Sequence, residues 1–280
     1  MAGLSLLPGL REPADIALLV DAGTDLVGRR CRSGVKEIAG VAGVFILPMI
    51  STLIFDLDGL LADTEKLHRR AYQDVLGELG VTVTEQQYEE HWIRNGRGIT
   101  EFFEEHGIPV DPDIVRRRKA VRYRELVLSS AEAMPGALRA LEDLQPHKTM
   151  ALATSSYHDA AYAVIETLGI RKYFTCIATR DDVARLKPFP DIFLLVASRL
   201  NAIPAHCLVL EDAQKGIIAA DAAGMRSIAI PNIHTSRNDF SKATMVLPSL
   251  GAVTVAKLDE LDRLHGYDHI RDGQSIGLKG

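Results

Sequence analysis

Short unbroken apolar runs, separated by stretches of helical period, set the frame of this chain. The runs fall at 52–55, 149–153, 174–178, 207–210 and 227–230, with a weaker one at 245–247. Each is too short for a lone helix and apolar at successive positions, as a strand buried on both faces requires. Between them lie segments of helical period at 136–145, 157–168, 189–200 and 214–223, and one at 255–264 closes the series. This alternation predicts an α/β fold, a doubly wound parallel sheet whose central strand is TLIF at 52–55.

After that first strand the pattern changes. Leu67, Ala71, Val75 and Leu79 share one face of a helix of about 16 residues, with Asp63 as its expected N-cap and Gly80 as its stop. Further helical segments follow at 85–92, 99–106 and 113–129, broken at Asn95-Gly96 and at 107–112. A run of helices in this place predicts a small all-helical cap inserted after the first strand, closing over the strand ends. The expected division is an N-terminal extension at 1–48, poorly ordered; an α/β core at 49–63 and 133–265; the cap at 64–132; and a loose polar tail at 266–280.

Composition narrows the class without naming an activity. Of 280 residues, 47 % are hydrophobic and 25 % charged, which is ordinary for a globular protein able to bury a core. The formal charge of −5 gives no basic field for nucleic acid, and no apolar run reaches the roughly 20 residues of a membrane span. The three cysteines, Cys31, Cys176 and Cys207, form no CxxC pair, and the last two sit in apolar runs as small hydrophobes. A reducing cytoplasm is the expected location. The first 48 residues lack the uninterrupted apolar stretch of a secretory signal, while an organellar transit peptide stays open. A monomer or weak dimer is expected.

The chemistry concentrates where strands end. Asp56 and Asp58 leave the central strand two residues apart, with Gly59 just beyond. Two close carboxylates repel unless they share a proton or hold a cation, and a hard divalent ion such as Mg2+ is the favoured remedy. With a metal holding one carboxylate oxygen, the other can attack an electrophile, while the second carboxylate carries a proton to or from the leaving group. At the end of the next strand, Thr154-Ser155-Ser156 place hydroxyls and helix-opening amides at the same sheet edge, a natural anion site. Lys187 precedes Pro188 and can hold an ammonium where charge accumulates. Glu211 and Asp212 end another apolar strand and again call for a cation. Taken singly, each also fits a plainer role: acids in a turn, hydroxyls capping a helix, a surface lysine. The run RRRKAVRYR at 116–124 is expected to be the solvated face of a helix.

Together, in this order, these motifs resemble the haloacid dehalogenase-like hydrolases over roughly residues 50 to 250. FDLDGLLADTE resembles the first motif of that superfamily, ALATSS the second, RLKPFPDIF the third and CLVLEDA with KGIIAADAAGM the fourth. Leu186, where Gly is frequent, and Ala213, where Ser is frequent, depart from the pattern. The resemblance implies a phosphatase acting on a small phosphorylated metabolite (a sugar phosphate, phosphoglycolate or a nucleotide) through an aspartyl phosphate. Asp56 is then the nucleophile and Asp58 the general acid and base. Thr154 and Lys187 hold phosphoryl oxygens, Ser155 contributes to substrate binding, and Mg2+ sits on Asp56, the backbone carbonyl of Asp58, Asp212 and Glu211.

The helical insert is similar to that of the subfamily containing β-phosphoglucomutase and phosphoglycolate phosphatase, where a histidine near the general acid corresponds to His68. A mutase needs a cationic grip on a second phosphate, an Arg three residues after a cap glycine. If Gly96 is that glycine, Ile99 stands there instead, with Arg94 and Arg97 flanking the turn as candidate substitutes. Dehalogenases lack the second Asp. A phosphonatase would need a cap lysine, and the opening cap helix offers only Lys66. The remaining alternatives are a phosphomutase and a catalytically silent binding protein on the same fold.

Overall fold

The computed structural model describes residues 27–30, 36–39 and 49–263. The first described residues form β1 (Val27–Arg30), paired antiparallel with β2 (Lys36–Ala39). No regular element was expected before residue 49. Two four-residue strands are too short for a period to register. The rest of the expected extension, and the tail at 266–280, lie outside the described residues.

Six strands form one parallel sheet: β3 (Thr52–Phe55), β4 (Thr149–Ala153), β5 (Cys176–Ala178), β6 (Cys207–Glu211), β7 (Arg226–Ala229) and β8 (Met245–Val246), in the order β5-β4-β3-β6-β7-β8. The chain winds outward from β3 in both directions, so the carboxyl ends of β3 and β6 flank the point where the order reverses, the usual crevice of such folds. Register fixes what meets there. Phe55 pairs with Leu152 and Leu210, which sets Asp56 beside the ends of both neighbouring strands.

Between β3 and β4 the chain is helical: α1 (Glu65–Gly77), α2 (Glu85–Tyr88) running into a π-helical turn (Glu89–Arg94), α3 (Ile99–His106) and α4 (Pro112–Ser130). The sequence predicts one helix over 85–92; the structure splits it. Thr84 caps α2 through a reciprocal bond with Gln87, and the wider turn that follows carries Trp92. The distal halves of α1 and α4, with α2 and α3, enclose their own apolar cluster around Leu76, Phe102, Phe103 and Val115. Their proximal residues Leu67, Ala71, Tyr123 and Val127 join the cluster beneath them.

The helices α5 (Ala137–Leu144), α6 (His158–Thr167), α7 (Asp191–Leu200) and α8 (Gln214–Ala222) cover the sheet. Successive residues of a strand face opposite sides. Leu53 and Phe55 accordingly pack with Leu141 and Val164 of α5 and α6, while Ile54 packs with Phe193 and Ala219 of α7 and α8. This is why the strands read as continuous apolar runs. Burying each Leu, Ile or Phe contributes roughly 1.5–3 kcal/mol.

Candidate active site

Asp56 follows the last residue of β3 and receives its position from the sheet, its N–H donating to the Leu210 carbonyl at 3.0 Å. Beside it, β6 delivers Glu211 and Asp212. The three carboxylates are buried and each offers an oxygen within 4.8 Å of the others. One ammonium meets them: Lys187 Nζ donates to Asp56 Oδ1 at 2.5 Å, to Glu211 Oε2 at 2.9 Å and to the Ala153 carbonyl at 3.0 Å. All three of its N–H donors are engaged, and its side chain is only 1 % exposed. Lys187 therefore braces Asp56 and Glu211 by direct bonds, and Asp212 is held from elsewhere.

Three buried acids against one lysine leave negative charge in excess. Burial and then the neighbouring Glu211 push the Asp56 carboxyl up to about 7, and Asp212 is raised well above its ordinary range by burial, Glu211 and Asp56. An arrangement of this composition suits a hard cation with oxygen ligands.

Asp58, two residues on, lives in different surroundings. Its Oδ1 accepts from Thr64 Oγ1 at 2.7 Å; its Oδ2 accepts from Ser156 Oγ at 2.7 Å and Thr154 Oγ1 at 3.1 Å. Burial opposes ionisation, but the three hydroxyl donors, each bonding the charged form, hold this carboxyl below its usual range. Its side chain is not part of the acidic cluster, so only its backbone is free to contribute there. Thr64 explains one sequence misreading. Thr64, and not Asp63, occupies the N-cap position of α1, and its hydroxyl serves Asp58 in place of the helix. Asp63 instead pairs with Lys66 at 2.9 Å.

Asn232, in the loop after β7, went unrecognised in the sequence. Its amide donates to Asp212 Oδ2 at 2.8 Å and to the Gly59 carbonyl at 3.0 Å, while its own carbonyl accepts from the backbone N–H of His234 and Thr235. One side chain thus ties the loops after β3, β6 and β7. Two glycines make this closeness possible. A Cβ on Gly59, which has φ +83°, would lie 2.6 Å from Asp212 Oδ2, and one on Gly216 in the first turn of α8 would overlap the Glu211 carboxyl. The signal for Asn232 was a polar residue two positions past an apolar strand, too common to single out.

A cavity of about 470 Å3 opens between these strand ends and the helical insert. Asp56, Asp58, Thr154, Ser155, Glu211 and Asp212 line its floor. His68 lines it from α1, stacked on Tyr123 with ring centres 4.1 Å apart, and Lys119 from α4 places Nζ 2.6 Å from His68 Nδ1. Burial first, and then Lys119, push the His68 pKa down to about 3, so its ring is neutral; burial pushes the Lys119 amine down to about 8. Lys119 belongs to the run expected to face solvent; on that helix the arginines do so while the lysine turns inward. Arg94 and Arg97 do not reach the cavity. They are 57 % and 49 % exposed and paired with Glu89, Glu90 and Glu105. Ile99 is packed in the apolar cluster of the insert at 1 % exposure.

Against known proteins, the family profile described as haloacid dehalogenase-like hydrolase matches residues 53–230. A fructose-1-phosphate phosphatase of Escherichia coli, YqaB, is 36 % identical over 184 residues, covering 64 % of this chain and 95 % of that protein. A probable pseudouridine-5'-phosphatase of Drosophila melanogaster is 34 % identical, covering 73 % of this chain and 92 % of that protein. In structure, the chain is similar to CbbY from Rhodobacter sphaeroides in complex with phosphate, with a TM-score of 0.67, 30 % identity, and coverage of 75 % of this chain and 100 % of that one.

Proposed function

Because this chain belongs to the haloacid dehalogenase-like hydrolases and is a phosphoric monoester hydrolase, we propose that it hydrolyses a small phosphorylated metabolite with Mg2+ as cofactor and a phosphoryl group carried transiently on Asp56. The observation that carries this reading is the contrast between the two carboxylates of DLD: Asp56 lies in an acidic, lysine-backed cluster, and Asp58 lies among hydroxyls beside His68. Two acids in environments that push their pKa values apart are suited to two roles.

In the proposed reaction, the Asp56 carboxylate attacks phosphorus and the ester oxygen departs with a proton from Asp58. Asp58 then takes a proton from the water that cleaves the aspartyl phosphate. Asp58 is ionised in the structure as it stands; a phosphoryl dianion placed beside it would favour its protonated form and prepare it as the acid. Asp56, Asp212 and the backbone carbonyl of Asp58 would hold the Mg2+, with Glu211 bound directly or through water. When bound, the ion offsets the charge of the carboxylates and the phosphoryl oxygens. Lys187 fixes Asp56 and Glu211, the Ser155 hydroxyl is available to the phosphoryl oxygens while Thr154 would reach them by exchanging its bond to Asp58, and residues 64–132 act as a cap that excludes water.

Hydrolysis is preferred over net phosphomutase activity because the cap offers no bidentate grip on a second phosphate: Arg94 and Arg97 point outward and Ile99 is in the cap core. Turnover of p-nitrophenyl phosphate that requires Mg2+ and disappears in Asp56→Asn is the expected result. Failure of the wild-type chain to turn it over would favour a silent binding protein. Formation of glucose 6-phosphate from β-glucose 1-phosphate and its bisphosphate, faster than phosphate release, would reverse the choice against a mutase.

A further inference from the structure

On the outer side of the molecule α4 carries six basic and two acidic residues, and α6, which packs beside it, carries two acidic residues and no lysine or arginine. Ile114, Val121 and Leu128 recur every seven residues along α4, so they lie in one line on the helix, and they are 38 %, 63 % and 62 % exposed. Exposed apolar residues scattered singly need no explanation, whereas three in line make a stripe. Arg117 and Arg124 fall between them at steps of three and four, the spacing of a helix seam. The other arginines of α4 are engaged: Arg116 with Asp113, Arg118 with Glu78, and Arg122 with Asp74 and Glu125. Among the described residues Arg117 and Arg124 pair with no acid. Beside the stripe, Arg124 and Leu128 line a groove of about 280 Å3 together with Asp159 and Glu166 of α6. Glu166 has no ion-pair partner among the described residues, and Asp159 meets only its neighbour His158.

We infer that this face is where a second copy of the chain docks, with α4 of each copy lying on α6 of the other. What selects this partner is charge. A basic helix beside an acidic one is self-complementary under a two-fold axis that passes between them: rotation sets Arg124 of each copy opposite Glu166 of the other and covers both apolar stripes. Pairing α4 on α4 would set arginine against arginine. Nucleic acid or an anionic membrane would meet the acids of α6 on a chain whose formal charge is −5, so neither suits this face. With 19 residues α4 is about 28 Å long, and two helices side by side are about 20 Å wide. Each copy thus offers an area at the low end for a specific contact, and the dimer exchanges with monomer in the micromolar range. None of these residues lines the active-site cavity, so the contact is independent of the proposed reaction.

Sedimentation velocity of the full chain over about 1 to 200 μM tests this, the range being set by a micromolar dissociation constant. The sedimentation coefficient is expected to rise with concentration from monomer toward dimer, at higher concentrations when salt is raised. Arg124→Glu and Glu166→Arg, both at exposed positions, should each shift the midpoint upward by about ten-fold or more, since like charges then meet across the axis. An equimolar mixture of the two variants should return to the wild-type midpoint, because in the mixed dimer Glu faces Arg at one contact and Arg faces Glu at the other. Val121→Glu should weaken the dimer without such rescue. A chain that stays monomeric throughout overturns the assignment and leaves the face to a protein of another kind. A dimer indifferent to all three substitutions places the contact elsewhere, and failure of the mixture to recover overturns the pairing of α4 on α6.

Discussion

On the floor of the cavity the acids are held by direct bonds: Lys187 alone reaches Asp56, Glu211 and a strand carbonyl, and Asn232 ties Asp212 to the Gly59 turn. On the wall formed by the insert, the rings of Tyr72, Tyr88 and Trp92 carry only two charged side chains into the space, Glu65 and Lys119, while Arg94 and Arg97 face water. The floor is over-determined by strand register, so its geometry changes little without cost. The wall is fixed by helix packing and can exchange one side chain for another. Chemistry is thus expected to fail when the floor is altered, and selectivity when the wall is.

Experiments that probe this contrast fall in a sequence of decreasing effect. Asp56→Asn should cut the turnover number to below roughly a thousandth of wild type with an unchanged circular dichroism spectrum, because an amide keeps the shape but is a poor nucleophile. Retained turnover would remove the aspartyl phosphate. Lys187→Ala leaves Asp56 and Glu211 as uncompensated buried charges, so unfolding in denaturant should show a loss of about 3–5 kcal/mol in the metal-free protein. A shift near zero would mean the acids relax or protonate without consequence.

Asn232→Ala should weaken Mg2+ binding by about 10–100-fold, read by calorimetry, since the orientation of Asp212 is lost. Lys119→Met moves to the wall, where the effect is on pH. As pH rises through about 8, Lys119 loses the charge it holds beside His68, so KM of the wild type should climb on that limb. In the variant the limb should vanish. An identical profile in both would take Lys119 out of substrate binding. Arg97→Ala is expected to change KM by less than about two-fold, because an exposed ion pair with Glu105 contributes little. A large increase would mean the insert rearranges to bring this arginine inward.

The apolar runs alone determined the strands of the large sheet, because a strand buried on both faces must be apolar at successive positions. The acids and hydroxyls that end those runs determined the floor, since a parallel sheet brings all its carboxyl ends to one edge. That is why Asp56, Asp58, Thr154, Glu211 and Asp212 could be assembled from the strand pattern, while Lys187, which ends no strand, was placed only by the resemblance of RLKPFPDIF to a family motif. The wall could not. The 116–124 stretch is polar on every side, with no apolar stripe to show which face packs; only docking of α4 against α1 turned Lys119 inward and left its arginines outside. The glycine turn at 95–98 allowed either direction for Arg94 and Arg97, and nearby glutamates, invisible as partners until the insert folded, drew both outward. Asn232 and Thr64 acquired their contacts from residues 20 and 6 positions away. Local pattern carries which residues are buried in strands; the tertiary structure decided which polar side chain meets which, because that depends on helix rotation and loop approach, which hydrophobic period does not encode.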